Sequence, residues 1–113
     1  MKKINRNKGF LFWITGLSGS GKSALGKSFK KEIERDIGKT IILHGDDLRK
    51  ILELRKYDKI SRLKNGKKYC KLVKLLTDQN INVIITVVGM FHSLRTWNRK
   101  NINNYIEIYI KSK

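Results

Sequence analysis

Proline is absent from this chain, and cysteine occurs once, at Cys70. Without proline, turns and element ends rest on glycine, asparagine and aspartate alone. A lone cysteine excludes an internal disulfide framework and fits a reducing compartment, so a cytoplasmic protein is the expectation. Acidic residues are scarce: nine Asp and Glu face 26 Lys and Arg, for a formal charge of +17. No apolar run reaches the roughly 18 residues that a membrane-spanning helix needs, so no membrane partner is expected. The basic residues 1–8 lead into a short apolar run that meets glycines directly, with no small-residue cleavage site. A secretory signal is therefore not expected. The 113 residues carry no repeat, low-complexity block or linker, and that length supports one domain and not two.

The excess of positive charge invites a polyanion reading. However, 19 of the 26 basic residues are lysine, and they are spread along the chain. Isoleucine and asparagine are also abundant, a bias that AT-rich coding produces by itself. A solvated lysine surface is the plainer reading. No interleaving of lysines with aromatic residues marks a nucleic-acid face, so no specific nucleic-acid partner is expected.

What is present is an alternation of apolar runs and amphipathic stretches. Residues 10–15 form an aromatic-rich apolar run that reads as a buried strand. A glycine-rich loop follows, then a helix over about 22–36, with Leu25, Phe29 and Ile33 on one face and Gly38 as its stop. Residues 40–44 read as a second strand. Asp46 is placed to cap a helix whose apolar positions are Leu48, Ile51, Leu52 and Leu54. A longer helix is expected over about 61–79, with Tyr69, Leu72, Val73, Leu75 and Leu76 on its buried side, and a turn at Asn80. Residues 81–88 are almost continuously apolar, as in a strand covered on both faces. A helix over about 93–102 and a strand over 105–110 complete the series. The order β-α-β-α-α-β-α-β implies an α/β domain built on a parallel sheet.

Gly16-Leu17-Ser18-Gly19-Ser20-Gly21-Lys22-Ser23 satisfies the pattern G-x-x-x-x-G-K-[ST] at every fixed position. The chemistry explains the spacing. Glycines let the backbone wrap a phosphate with its N–H groups inward. The helix that follows adds its positive dipole end. Lys22 brings a point charge to the β and γ phosphates, and the Ser23 hydroxyl is placed for Mg²⁺. The motif follows an expected strand and opens an expected helix, the context it requires. ATP and Mg²⁺ are thus the expected cofactors. The third strand ends without an acid; the nearby acids are Asp46 and Asp47, after the second strand. One of them can hold Mg²⁺ through water or take the proton of an acceptor hydroxyl. Asp46 is as readily a plain helix cap, and the two roles are compatible. Arg49, one turn on, can face the same crevice.

The segment Phe12 to Ser23 resembles the start of adenylylsulfate kinases, which pass the γ-phosphate of ATP to the 3′-hydroxyl of adenosine 5′-phosphosulfate. His44-Gly45-Asp46-Asp47-Leu48-Arg49 is similar to that family's Asp-Gly-Asp-x-x-Arg, with His44 in place of the first Asp. Residues 57–65 resemble its Phe-Ser-x-x-Asp-Arg-x-x-Asn, keeping Arg62 and Asn65. Residues 89–92 resemble its Ser-Pro-Phe-Arg, keeping Phe91; Arg95 fits a later basic position. The resemblance spans about residues 9–111. It implies a P-loop kinase fold with helices on both faces of the sheet. It also implies that Asp46 is the base or Mg²⁺-associated carboxylate. Arg49, Arg62 and Asn65 would then hold a small nucleotide acceptor, with Phe91 stacked on its base. A homodimer is compatible with the resemblance.

Departures from the pattern gather on the acceptor side, at His44, Ser61 and His92. Gly89 replaces a serine, which excludes a phosphoenzyme there and leaves direct in-line transfer intact. The donor side is unaltered, so a nucleotide is expected to bind while the acceptor has changed. The family also continues beyond the strand matching residues 105–110, with a basic lid and a last strand. The resemblance therefore makes residues 1–113 a partial kinase domain of reduced rate. A kinase for another nucleotide-activated anion, such as cytidine diphosphoramidate, and an inactive nucleotide-binding remnant are the other readings. His44 and His92 read as structural or surface residues, Trp13 and Trp97 as core, and Cys70 as inert.

Overall fold

A computed structural model describes residues 3–16, 19, 21–88 and 91–111. Eight elements follow one another: β1 (Phe10–Gly16), α1 (Lys22–Ile37), β2 (Thr40–His44), α2 (Gly45–Ile51), α3 (Lys59–Asp78), β3 (Asn82–Val88), α4 (His92–Asn101) and β4 (Asn104–Ile110). The four strands form one sheet in the order β2-β3-β1-β4, and every pair is parallel. The expected α/β class and element order are those observed.

Side-chain alternation sorts each strand between two helical layers. Leu11 and Trp13 of β1 and Val83, Ile85 and Val87 of β3 face α3 and α4, where they pack with Tyr69, Cys70, Val73 and Leu94. Ile42 of β2 and Ile84 and Thr86 of β3 face α1, against Gly26. β3 is therefore buried on both sides over its first six residues. Its run of Val and Ile fits that position, each buried side chain contributing about 1.5–3 kcal/mol.

Several boundaries differ from the sequence expectation, each for a local reason. α3 begins at Lys59, two residues early, because the Asp58 carboxylate caps it: Oδ2 accepts from the Ser61 N–H at 3.1 Å and Oδ1 from the Ser61 hydroxyl at 2.8 Å. Leu75 is 58% exposed. It lies two residues past buried Val73, about 200° around the helix. The buried side is completed instead by Asn65, Gly66, Cys70 and Thr77. α2 stops at Ile51, so Ile51 and Leu52 stand exposed and only Leu48 is buried. Asp46 is not the side-chain cap of α2. His44 holds the N-cap position without a side-chain bond, and Asp46 and Asp47 sit in the first turn, where their charge suits the helix dipole. Gly38 ends α1 as expected, at φ 94°, with its N–H donated to Glu34 O. Asn80 supplies the expected turn at φ 63°.

Two glycines, one before β1 and one inside α3, set close approaches. A Cβ on Gly9 would lie 1.9 Å from the carbonyl oxygen of Ile81, and one on Gly66 would meet the Leu94 side chain at 2.3 Å. The first seats the chain at the entrance of β1; the second brings α3 and α4 together beside the carboxyl ends of the strands. Among the described residues, no helix is long and apolar enough to cross a membrane.

Candidate active site

The carboxyl ends of β1, β2 and β3 and the starts of α1, α2 and α4 surround a cleft of about 700 Å³. In parallel α/β sheets this edge is where ligands bind. The residues on its wall come from widely separated stretches of the sequence, brought together by the sheet order.

At one end lies the glycine loop. Gly16 closes β1 between Val88 and Ile110 and does not itself line the cleft. Gly19 and Gly21 line it with φ of 81° and 95°, values that a residue with a Cβ rarely adopts. Gly21 is also the N-cap of α1, so the amides of the first turn of that helix open onto the cleft. Lys22, only 8% exposed, and Ser23 line it too. Leu17, Ser18 and Ser20, which the sequence also assigned to this loop, lie outside the described residues, as does Gly89. An inward-facing helix start with one lysine suits a polyphosphate.

At the middle stand Asp46 and His44. Asp46 is exposed on the first turn of α2. A hydroxyl from Ser23 and a carboxylate from Asp46 are hard oxygen donors. With phosphate oxygens and water they fit Mg²⁺, which prefers such a partial protein shell. Among the described residues no group of three His, Cys, Asp or Glu is assembled for a metal. His44 was read from the sequence as structural or on the surface. The structure puts it on the cleft wall, with Nδ1 2.8 Å from Thr86 Oγ1 and 3.5 Å from Ser23 Oγ.

The far end is aromatic and basic. Arg49 lies over the Tyr57 ring at 4.1 Å, and its Nη1 donates to the carbonyls of Leu54 and Lys56 at 3.3 and 3.1 Å. Arg49 thereby braces the loop after α2 while facing the cleft. Arg62 and Asn65, one turn apart on α3, face it from the side, with Asn65 buried. Phe91, the N-cap residue of α4, both packs against the core and lines the cleft. Arg95 is a further guanidinium on this wall. The Nε atoms of Arg62 and Arg95 are buried without a hydrogen-bond partner. An unpaired buried donor costs about 1–3 kcal/mol, so this wall favours an anion. Tyr69 also reaches the cleft, its hydroxyl 3.5 Å from Gly45 O. Burial pushes the Tyr69 phenol up, Arg49 opposes and Asp46 adds to the rise.

Tyr69, Thr86 and Arg95 were not singled out as site residues from the sequence. Thr86 offered one signal, a hydroxyl in an otherwise apolar strand. His92 is exposed and Trp97 packs on the core. Trp13 is buried and also backs the cleft. Cys70 is enclosed; burial pushes its thiol up to about 12, a bond with Asn98 opposing, so it is inert as a nucleophile.

A parallel sheet with a glycine loop between an inner strand and a helix, opening on a cleft with a basic wall, defines the P-loop kinase fold. The model of the family Adenylylsulphate kinase matches residues 8–113. The chain belongs to that family. It is 39% identical over 106 residues to the cytidine diphosphoramidate kinase of Campylobacter jejuni, covering 94% of this chain and 62% of that protein. It is 32% identical over 105 residues to a probable adenylyl-sulfate kinase of Pyrococcus abyssi, covering 91% of this chain and 60% of that one. The structure of the Mycobacterium tuberculosis APS kinase in complex with AMPPNP and APS superposes with a TM-score of 0.78 at 25% identity, covering 91% of this chain and 62% of that one. The chain thus spans about three-fifths of the length of these relatives.

Proposed function

We propose that this chain carries the nucleotide and acceptor sites of an ATP-dependent kinase that phosphorylates a hydroxyl of a nucleotide-activated small anion. The observation that carries this reading is the shared cleft. Lys22, Ser23, Asp46, Arg49, Arg62, Asn65 and Phe91, from distant parts of the sequence, all line it. In this reading the amides of the glycine loop, including those of Leu17, Ser18 and Ser20, and the Lys22 ammonium bind the phosphates of ATP. Ser23 and Asp46 hold Mg²⁺, which would neutralise charge on the transferring group. Asp46 accepts the proton of the attacking hydroxyl. Guanidinium forks of Arg49 and Arg62 bind the anionic bridge of the acceptor, and the Phe91 ring supports its base.

Family membership favours adenosine 5′-phosphosulfate as acceptor, and with it sulfate activation in the cytoplasm. A second reading, cytidine diphosphoramidate, is favoured by the 39% identity with the Campylobacter jejuni enzyme. The test supplies the protein with Mg²⁺, γ-labelled ATP and each acceptor in turn. Label on adenosine phosphosulfate supports the first reading; label only on the cytidine compound supports the second. ATP bound without transfer to either would leave a nucleotide-binding remnant. No ATP binding would end the kinase reading.

A further inference from the structure

Three arginines line the basic wall of the cleft, and the fold holds them in two ways. Arg49 is committed to the protein: its Nη1 donates to the carbonyls of Leu54 and Lys56, and its guanidinium carbon lies over the Tyr57 ring. Arg62 and Arg95 are held differently. Each is half-buried and keeps a buried Nε with no hydrogen-bond partner among the described residues. Neither enters an ion pair among those residues. Glu107, which feels the Arg95 charge, is already bonded by Arg99 and by the Tyr105 hydroxyl. The two uncommitted guanidiniums come from adjoining helices. Arg62 lies in the first turn of α3, its guanidinium carbon 5.9 Å from the centre of the Phe91 ring. Arg95 lies in the first turn of α4, where its N–H is donated to Phe91 O. Gly66, one turn after Arg62, lets Leu94 approach α3, and so brings its neighbour Arg95 to the same wall.

A guanidinium carries five donors and a permanent charge, and enclosed donors without partners favour the state in which an anion supplies them. α4 adds the same sign, since its first turn holds no acid and its cap makes no side-chain bond. We propose that Arg95 is a specificity-determining residue of the acceptor site. Together with Arg62 it binds the anionic bridge of the acceptor through charge-assisted hydrogen bonds, while Arg49 chiefly fixes the loop after α2. Two guanidiniums on one wall fit a bridge that carries a negative charge on each of two acid centres. A neutral nucleoside gains nothing from them. Arg95 thus sets the preference for an activated, anionic acceptor over its plain nucleoside. The inference rests on the reading of this wall as the acceptor site of a kinase.

The experiment measures dissociation constants by titration calorimetry on the full chain, with a non-hydrolysable ATP analogue and Mg²⁺ present throughout. The probes are adenosine 5′-phosphosulfate and cytidine diphosphoramidate, each beside its plain nucleoside, adenosine or cytidine. In the unmodified protein at least one anionic probe should bind about a hundredfold or more tighter than its nucleoside. In Arg95→Gln that advantage should shrink by about tenfold or more, with nucleoside and ATP-analogue affinities kept within about twofold. Arg95→Lys, which keeps the charge and loses the fork, should recover part of it. Arg62→Gln should shrink the advantage as well. The analogue affinity of each variant serves as the check on folding. An undiminished advantage in Arg95→Gln overturns the proposal. An equal loss for probe, nucleoside and ATP analogue in both Arg95 variants overturns it too, since that is the mark of a structural role. If the unmodified chain shows no advantage for either anionic probe, the wall is not an anion site and the proposal falls, while analogue binding still stands for the donor site. If the analogue does not bind, the kinase reading fails, and the probe titrations alone then decide whether Arg95 grips an anion.

Discussion

Arg62 and Phe91 meet across the gap between α3 and α4, with the guanidinium carbon 5.9 Å from the ring centroid. Such a contact is worth about 0.5–1 kcal/mol at a partly exposed site. It fixes the ring at the cleft wall with one face already occupied. If the other face supports the base of the acceptor, Phe91→Leu keeps the packing but loses the stacking. At saturating ATP, kcat/KM for the acceptor should then fall by about tenfold or more, with ATP affinity unchanged. An acceptor titration that shows no change would make Phe91 a core residue only.

Lys22 is the first residue of α1 and is almost fully enclosed. Lys22→Ala should lower the rate of transfer by about a hundredfold or more and weaken ATP binding. The loss should show as a raised dissociation constant in a direct titration as well as in turnover. Equal ATP affinity in the two proteins would remove Lys22 from the phosphate site.

Gly9 concerns folding and not the cleft. Its N–H donates to Thr77 O at 2.7 Å, and a Cβ would penetrate the Ile81 carbonyl. The obstacle is backbone, which cannot swing aside. Gly9→Ala should cost on the order of 1–3 kcal/mol, seen as a clear drop in Tm in a thermal melt. Gly66→Ala offers the comparison: it meets the end of the flexible Leu94 side chain and should cost less.

Three carboxyls are held below their ordinary values. For Asp58 the cause is the pair of bonds from Ser61, for Asp78 the bonds from Lys74 and Lys8. Burial alone would raise Glu107, but its bonds from Arg99 and Tyr105 outweigh that and lower it. A carboxylate with a lowered folded value adds stability that is full above its unfolded value and is lost as pH falls through the folded one. Tm should therefore decline as pH drops below about 4.5. In Asp58→Asn the decline should be shallower, because one of the three groups no longer titrates. Melts from pH 3 to pH 7 check this; identical profiles would show that the Asp58 bonds do not survive in solution.

Much of this architecture is legible in the residues themselves. The second strand was bounded to the residue, and the glycine pattern marked the strand–loop–helix unit, because both signals are local. The misplaced features have separate origins. Leu75 looks like a core leucine, but it lies about 200° around α3 from buried Val73. Ile51 and Leu52 look like a helix face, but α2 ends after two turns. Thr86 joins the cleft only through sheet register, which no spacing in the sequence reports; Arg95 had its one signal in the family's later basic position. His44 was noticed, but its two hydroxyl neighbours come from β3 and α1.

β1 lies inside the sheet. Leu11 is flanked by Val83 on one side and by Tyr105 on the other, both supplied by distant later segments. The loop that would grip a triphosphate is therefore no portable cassette. An excised peptide covering residues 10–37 would contain its sequence and none of its scaffolding. Such wide separations make the binding end depend on non-local contacts, which slow folding. A nucleotide that binds there reports on tertiary closure of the chain from end to end, and should protect it against heat in proportion to ligand concentration.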